Sequence, residues 1–283
     1  MRRLPGVMAY LCLVGSGLVW GIAAANEREE PLILTLGDSV PFGMINQDGY
    51  AYVNSDNFQG YPDYLAEMLH FRVVNAACPG EATTGFLAAT GADFGCRPYK
   101  DLFPLHVAYH GAATQLEFAL ALVRTHGYAV RLITIGLGAN DGFLLQDSCS
   151  DDPACVAAGL PGLMLKVSTN LQTIMADLRA AGFTGPIAIV NYYSPDYTDP
   201  ELTGRISSIN TAINEAATAS GAVVADVFSA FHAAAAAVGG KTCQAGLLNV
   251  DPNQSATLKA PCDFHPSLSG HRLIAKTVAR SLR

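Results

Sequence analysis

Short apolar runs recur along the chain and alternate with helix-like segments. Each run is continuously apolar rather than alternating, which is typical of strands that are buried on both faces of a sheet. Strands separated by helices form βαβ units and a parallel sheet. The sequence therefore predicts an α/β fold with a five-stranded parallel sheet, whose strands are Leu32–Leu36, Arg72–Ala76, Val130–Leu137, Pro186–Asn191 and Ala222–Val227.

Helical periodicity marks the segments that connect these strands. The predicted helices are Tyr61–Leu69, Thr114–His126, Leu163–Ala181, Pro200–Ser220 and Ser267–Leu282. Residues 79–110 and 239–264 show no clean period and are expected to be irregular loops. No low-complexity linker interrupts the alternation, so we expect one domain over residues 26–283.

The first 25 residues have the features of a secretory signal peptide. Arg2 and Arg3 give a basic start, an apolar stretch follows from Met8 to Ile22, and three alanines at 23–25 suit cleavage. A membrane anchor is the alternative, but the apolar stretch is short and interrupted by glycines. We therefore expect an extracytoplasmic protein, either secreted or periplasmic, without a stable membrane span.

Charge limits the classes of partner. Without the two arginines of the leader, 15 basic and 24 acidic residues remain, a net charge of −9. A strongly acidic chain is unsuited to nucleic acid or to an anionic membrane surface.

Cysteine usage supports an oxidising compartment. Six cysteines remain once Cys12 is removed with the leader, and an even number in an exported chain indicates disulfides. Of the 15 possible pairings we favour the sequential one, Cys78–Cys96, Cys149–Cys155 and Cys243–Cys262. Zinc is the competing interpretation, but no C-x-x-C or H-E-x-x-H spacing occurs, so no metal is expected.

Polar residues follow the predicted strands. Ser39 lies directly after the first, Gly80 shortly after the second and Asn140 after the third, and His265 precedes the last helix. Open parallel sheets bind ligands at the carboxyl ends of their strands. Acyl transfer requires a nucleophile, a base and oxyanion donors, and these residues could supply them. Each short motif alone is more typical of a turn or a helix cap.

Taken together, four stretches resemble the SGNH hydrolases, also called GDSL esterases and lipases. They are LTLGDSV around Ser39, VVNAACPGEAT around Gly80, IGLGAND around Asn140 and DFHPSLSGH around His265. They occur in the family's order between residues 32 and 271, nearly the whole mature chain.

The resemblance implies a flavodoxin-like three-layer α/β sandwich and carboxylic-ester hydrolysis through an acyl-enzyme. It implies Ser39 as nucleophile, His265 as general base, and Gly80 and Asn140 as oxyanion donors together with the Ser39 amide. We expect a monomer that needs no cofactor and acts on a small-molecule, lipid or acetylated-glycan ester.

The chain departs from the commonest family pattern before the histidine. Many members place the triad aspartate three residues ahead, where this chain has Cys262, whereas Asp263 is two residues ahead. Either the Asp263 carboxylate or the backbone carbonyl of Cys262 could orient His265. We favour Asp263, because charge-assisted hydrogen bonds are stronger.

Two other functions are compatible with the same scaffold. One is a catalytically silent glycan-binding protein, and the other is a flavodoxin-like nucleotide binder, although GDSVPFG offers few glycines to hold a phosphate. Aromatic residues in the loops suggest either an apolar substrate pocket or ordinary loop packing; they are Phe42, Tyr50, Tyr52, Phe58, Phe94, Tyr99 and Phe103.

Overall fold

The computed structural model describes residues 30–45, 52–250 and 262–283. Its central sheet has five parallel strands in the order β2-β1-β3-β4-β5. The strands are β1 (Leu32–Gly37), β2 (Arg72–Asn75), β3 (Val130–Gly136), β4 (Ile187–Val190) and β5 (Val223–Ala225). The predicted five-stranded parallel sheet is confirmed. The predicted leader, residues 1–25, lies outside the described residues.

Helices cover both faces of this sheet. In chain order they are α1 (Ser39–Phe42), α2 (Tyr61–Leu69), α3 (Thr83–Leu87), α4 (Cys96–Leu102), α5 (Gln115–His126), α6 (Ala139–Ser148), α7 (Pro153–Ala180), α8 (Pro200–Ala219), α9 (Val227–Ala235) and α10 (Leu268–Ser281). The apolar side chains of α5, α7 and α8 pack on one face of the sheet. Those of α2, α9 and α10 pack on the other, which completes the three layers of a flavodoxin-like sandwich.

Burial of the strands explains their composition. Every residue of β1 and β4 is buried, so an alternating polar pattern is excluded there. Alternate residues divide between the two cores: Leu34 and Leu36 belong to one and Ile33 to the other. Because β1 is hydrogen-bonded to β2 and to β3, the segments that follow these three strands are neighbours.

The segments predicted as irregular contain regular structure. The predicted loop 79–110 holds α3 and α4, which are too short to show a helical period. Helix α7 begins at Pro153, ten residues before the predicted Leu163, with Asp152 as its N-cap. Residues 239–264 contribute β6 (Leu248–Val250) and the start of β7 (Cys262–Pro266), which pair antiparallel.

Helix α7 is the one helix in the described part of the chain that is long and apolar enough to cross a membrane. Its buried residues recur every three or four positions, among them Leu163, Val167, Leu171, Ile174 and Leu178. They belong to the core against the sheet, which is the position of a covering helix in an α/β protein.

Candidate active site

Ser39 lies at the first turn after β1, half-buried. The side chain of Asp38 caps α1 by accepting the Val40 amide at 2.9 Å, so Ser39 itself is not the cap. Asp38 also accepts a hydrogen bond from the Tyr192 hydroxyl at 2.5 Å. Burial raises the pKa of Asp38 to about 6, although these two hydrogen bonds oppose the rise.

Gly80 lies in the loop after β2. The Cys78 amide donates to the carbonyl of Gly37 at 3.0 Å, which joins this loop to the end of β1. Gly80 has a φ of +82°, and an added Cβ would lie 2.8 Å from the Gly95 Cα. Glycine is therefore required here both by backbone conformation and by close packing.

Asn140 lies in the first turn of α6, immediately after β3, and is buried. Its side-chain amide donates to the Glu81 carbonyl at 2.9 Å. The next residue, Asp141, accepts from both the amide and the hydroxyl of Thr83, at 2.9 and 2.6 Å. These bonds tie the turn that carries Asn140 to the segment that carries Gly80.

His265 lies on β7, which packs against α1. Burial is the main cause of the raised pKa of Asp38, and a positive charge on His265 opposes it. The Asp263 carboxylate approaches His265 twice: Oδ1 accepts the His265 backbone amide at 2.5 Å, and Oδ2 lies 3.4 Å from Nδ1. Helix α10 is capped by Ser267, so Asp263 does not serve that purpose.

The amide groups of Ser39 and Gly80 are available as donors. Neither donates a hydrogen bond to any residue in 30–45, 52–250 or 262–283. The Ser39 amide is in the first turn of α1, where a helix offers it no internal acceptor. Together with the Asn140 side chain, the chain presents three donors around one edge of the sheet.

Three disulfides join the favoured cysteine pairs, Cys78–Cys96, Cys149–Cys155 and Cys243–Cys262. The first closes the loop that contains Gly80. The third ends at the first residue of β7, three residues before His265. The structure thus braces two of the four motif segments covalently.

Sequence reasoning missed the side chains that support these segments. Gln115 pairs with the backbone of Gly37: its Oε1 accepts the Gly37 amide at 2.6 Å and its Nε2 donates to the Gly37 carbonyl at 3.0 Å. Glu81 is buried beside Gln115, and burial raises the pKa of its carboxyl to about 8. In the sequence, the one indication of this support was Glu81, an acidic residue directly after Gly80 in an otherwise uncharged stretch.

A second histidine lies behind His265. His271 on α10 is buried, and neither ring nitrogen has a hydrogen-bond partner in the described part of the chain. Burial, together with a smaller effect of a positive charge on His265, lowers its pKa to about 3, so the imidazole is neutral at physiological pH. Among the described residues no group of three or more His, Cys, Asp or Glu side chains could hold a metal ion.

Comparison with known proteins gives the family. The model of the GDSL-like lipase/acylhydrolase family matches residues 35–273, which contain Ser39, Gly80, Asn140 and His265. The chain belongs to this family. The predicted SGNH hydrolase membership is thereby confirmed, and a search of curated proteins found no match.

Solved structures with this fold include esterases and a phospholipase. Phospholipase A1 from Streptomyces albidoflavus NA297 superposes with a TM-score of 0.57 at 16% identity, covering 89% of this chain and 99% of that one. The acetylxylan esterase Axe2 from Geobacillus stearothermophilus has a TM-score of 0.54 at 15% identity, covering 90% and 94%. At these identities the likeness concerns the fold.

Proposed function

We propose that the protein is an exported serine esterase that hydrolyses carboxylic esters through an acyl-enzyme on Ser39. One observation carries the proposal. Segments far apart in sequence converge at the carboxyl edge of β1: α1 with Ser39, the Gly80 loop, the Asn140 turn bonded to it, and β7 with His265 packed on α1. The solved structures that share this fold include an acetylxylan esterase and a phospholipase, which agrees with ester chemistry.

In the first half-reaction, the Ser39 hydroxyl attacks the ester carbonyl. His265 takes the hydroxyl proton on Nε2 as the Oγ–C bond forms, and returns it to the alcohol oxygen as the ester C–O bond breaks. In the second half, His265 takes a proton from water as the water oxygen attacks the acyl carbon. It then returns this proton to Ser39 Oγ as the acyl C–Oγ bond breaks, which releases the acid and regenerates the Ser39 hydroxyl. Proton and electron pairs balance without a cofactor.

The carbonyl oxygen becomes negative in each tetrahedral intermediate. The amides of Ser39 and Gly80 and the side chain of Asn140 would donate to it. Such donors are most valuable when they are already oriented. The orientation of Asn140 comes from its bond to the Glu81 carbonyl, which uses one of its two amide hydrogens and leaves the other for the oxyanion.

Asp263 is proposed as the partner of His265. Its Oδ2 faces Nδ1, which favours the tautomer with the proton on Nδ1 and leaves Nε2 to act as the base. The carboxylate would also stabilise the imidazolium that forms during attack, which the dipole of the Cys262 carbonyl would do less well.

Export is proposed from the leader sequence and from the three disulfides, which persist in oxidising compartments. Residues 26–283 would form the mature single domain and act as a monomer. Sequencing the amino terminus of the exported protein tests this, since it should begin near Asn26; retention of the leader would contradict it.

The hydrolysis of p-nitrophenyl acetate tests the proposed activity. S39A should lose activity by several orders of magnitude while keeping the wild-type melting temperature. S148A, at an exposed serine on α6, should remain as active as wild type. No turnover by the wild type of this ester or of an acetylated sugar would favour the silent glycan-binding protein instead.

A further inference from the structure

Three phenylalanine rings form one contiguous surface at the candidate active site. The ring of Phe143 stacks on Phe94 at a centroid distance of 5.2 Å and contacts the edge of Phe264 at 5.9 Å. We call Phe94, Phe143 and Phe264 the aromatic wall. Of the seven aromatic residues singled out in the sequence, only Phe94 belongs to it.

Each ring of the wall is attached to a different part of the catalytic constellation. The Phe94 amide donates to the carbonyl of Gly80 at 2.7 Å. Phe143 follows Asn140 by three residues in α6. Phe264 lies between Asp263 and His265 on β7, and its carbonyl accepts the Tyr193 hydroxyl at 2.5 Å. The three rings are therefore carried by the segments that hold the proposed oxyanion donors and the proposed base.

The wall is not part of the folding core. Phe94 and Phe264 retain 41% and 37% of their accessible surface, and Phe143 is half-buried. Exposed aromatic surface forgoes the hydrophobic stabilisation that a buried ring provides. Three such rings touching one another beside a polar site therefore suggest a surface that is covered when a ligand binds.

The other aromatic residues singled out in the loops differ from the wall in their burial. Phe42, Phe58 and Tyr99 are buried in a small cluster of their own, against which Tyr52 and Phe103 pack. These five rings pack on one another, and Tyr50 lies outside the described residues. Phe94 and Phe264 of the wall are, by contrast, exposed.

We propose that the aromatic wall binds the hydrocarbon part of the ester, so that the substrates are esters that carry an alkyl chain of several carbons or an aryl group. This rests on the proposed esterase activity and specifies its substrate class. A sugar ring is a weaker fit, because Phe94 and Phe143 already cover one face of each other and few ring faces remain for stacking.

The hydrocarbon could belong to either side of the ester. Phe264 adjoins His265, which protonates the departing alcohol, whereas Phe94 and Phe143 adjoin the donors that hold the carbonyl oxygen. Two series of esters distinguish binding of the acyl chain from binding of the alcohol chain. The first is p-nitrophenyl esters from acetyl to decanoyl, and the second is acetate esters of alcohols from ethyl to decyl. A chain-length dependence in the first series assigns the wall to the acyl group, and one in the second to the alcohol.

The experiment compares the slope of log kcat/KM against carbon number in wild type, F94A, F143A and the double variant. Each methylene that reaches the wall should raise kcat/KM by up to about fourfold, equivalent to ~0.8 kcal/mol. The variants should flatten this slope in one series. F228A is the matched control, because Phe228 is a half-buried ring packed on Tyr197 next to β5, at the far edge of the sheet.

Equal slopes in wild type and variants would overturn the proposal, as would a preference for acetylated sugars that the variants abolish. If F143A fails to fold, F94A decides alone, since its side chain is the more exposed. Hydrolysis of p-nitrophenyl acetate with unaltered slopes refutes only the role of the wall. Absence of hydrolysis of every ester refutes the proposed activity, and the substrate class with it.

Discussion

At the residue scale, the proposed chemistry depends on a few side chains that are held by the backbone of another segment. Asn140 is held by the Glu81 carbonyl, 59 residues away in sequence. Gln115 holds the end of β1 from a distance of 78 residues. Ser39, Gly80, Asn140 and His265 could be singled out from the sequence because they sit in short motifs. Gln115 could not, because its role exists only through a long-range contact.

Replacing Asn140 by alanine should lower kcat about 10²–10³-fold and change KM much less, because the lost hydrogen bond strengthens only as the oxyanion develops. N170A is the matched control. The Asn170 side chain donates to Thr83 Oγ1 and so supports the same loop without reaching the oxyanion. Steady-state kinetics that showed an effect on KM alone, or an equal loss of kcat in N170A, would contradict the oxyanion role.

The role of Asp263 is tested by comparing D263A and D263N with H265A. If the carboxylate orients His265, D263A should lose about 10³–10⁴-fold in kcat. D263N retains an acceptor for the His265 backbone amide but removes the negative charge. It therefore distinguishes a role of Asp263 in holding the backbone of β7 from a role in stabilising the charged imidazolium. A loss of only tenfold in D263A would assign the role to the Cys262 carbonyl and leave a Ser39–His265 dyad.

At the element scale, long periodic segments could be predicted and short ones could not. Helix α2 has the predicted bounds, and α8 differs from its prediction by one residue. Helices α3 and α4 span five and seven residues, too few to show a period. The start of α7 was missed because Gly159, Pro161 and Gly162 mask the helical pattern, although Asp152 and Pro153 form a typical helix start.

The loop between β2 and α3 contains a buried acid whose titration should affect stability. Burial raises the pKa of Glu81 from 4.5 to about 8, so the folded state binds this proton more tightly than the unfolded chain does. Its favourable contribution is fully present below pH 4.5 and is lost as pH rises through about 8.

The free energy of unfolding of E81Q minus that of wild type should therefore increase between about pH 4.5 and 8. Urea unfolding at several pH values measures it. E67Q removes an exposed carboxylate from α2 and controls for the loss of one negative charge. A difference between E81Q and wild type that does not change with pH would contradict the assignment.

At the scale of the whole molecule, parallel pairing of β1 with both β2 and β3 brings the motif segments to one edge, and the disulfides restrain two of them. The parallel architecture followed from the apolar runs and the helices between them. The antiparallel β6–β7 pair did not, because β6 is three residues long and β7 ends in proline. That pair carries His265, so the sequence could nominate His265 as the candidate base but could not show which element holds it.

Removing the Cys78–Cys96 disulfide should affect both stability and activity. In the loop-entropy relation, a separation of 18 residues corresponds to about 3 kcal/mol, and one of 6 residues, as in Cys149–Cys155, to about 2 kcal/mol. The double serine variant C78S/C96S should also lose kcat, because Gly80 lies within the loop. C149S/C155S is the control and should lose stability only; equal loss of kcat in both would contradict a specific role for the first bridge.

The central claim is that Ser39 carries the acyl group, and mapping the adduct of a fluorophosphonate by mass spectrometry tests it most directly. The account predicts a single adduct on the peptide that contains Ser39, no adduct in S39A, and much slower labelling in H265A, because the base that activates the hydroxyl is gone. An adduct on another residue, or an enzyme that hydrolyses esters without labelling on Ser39, would contradict it.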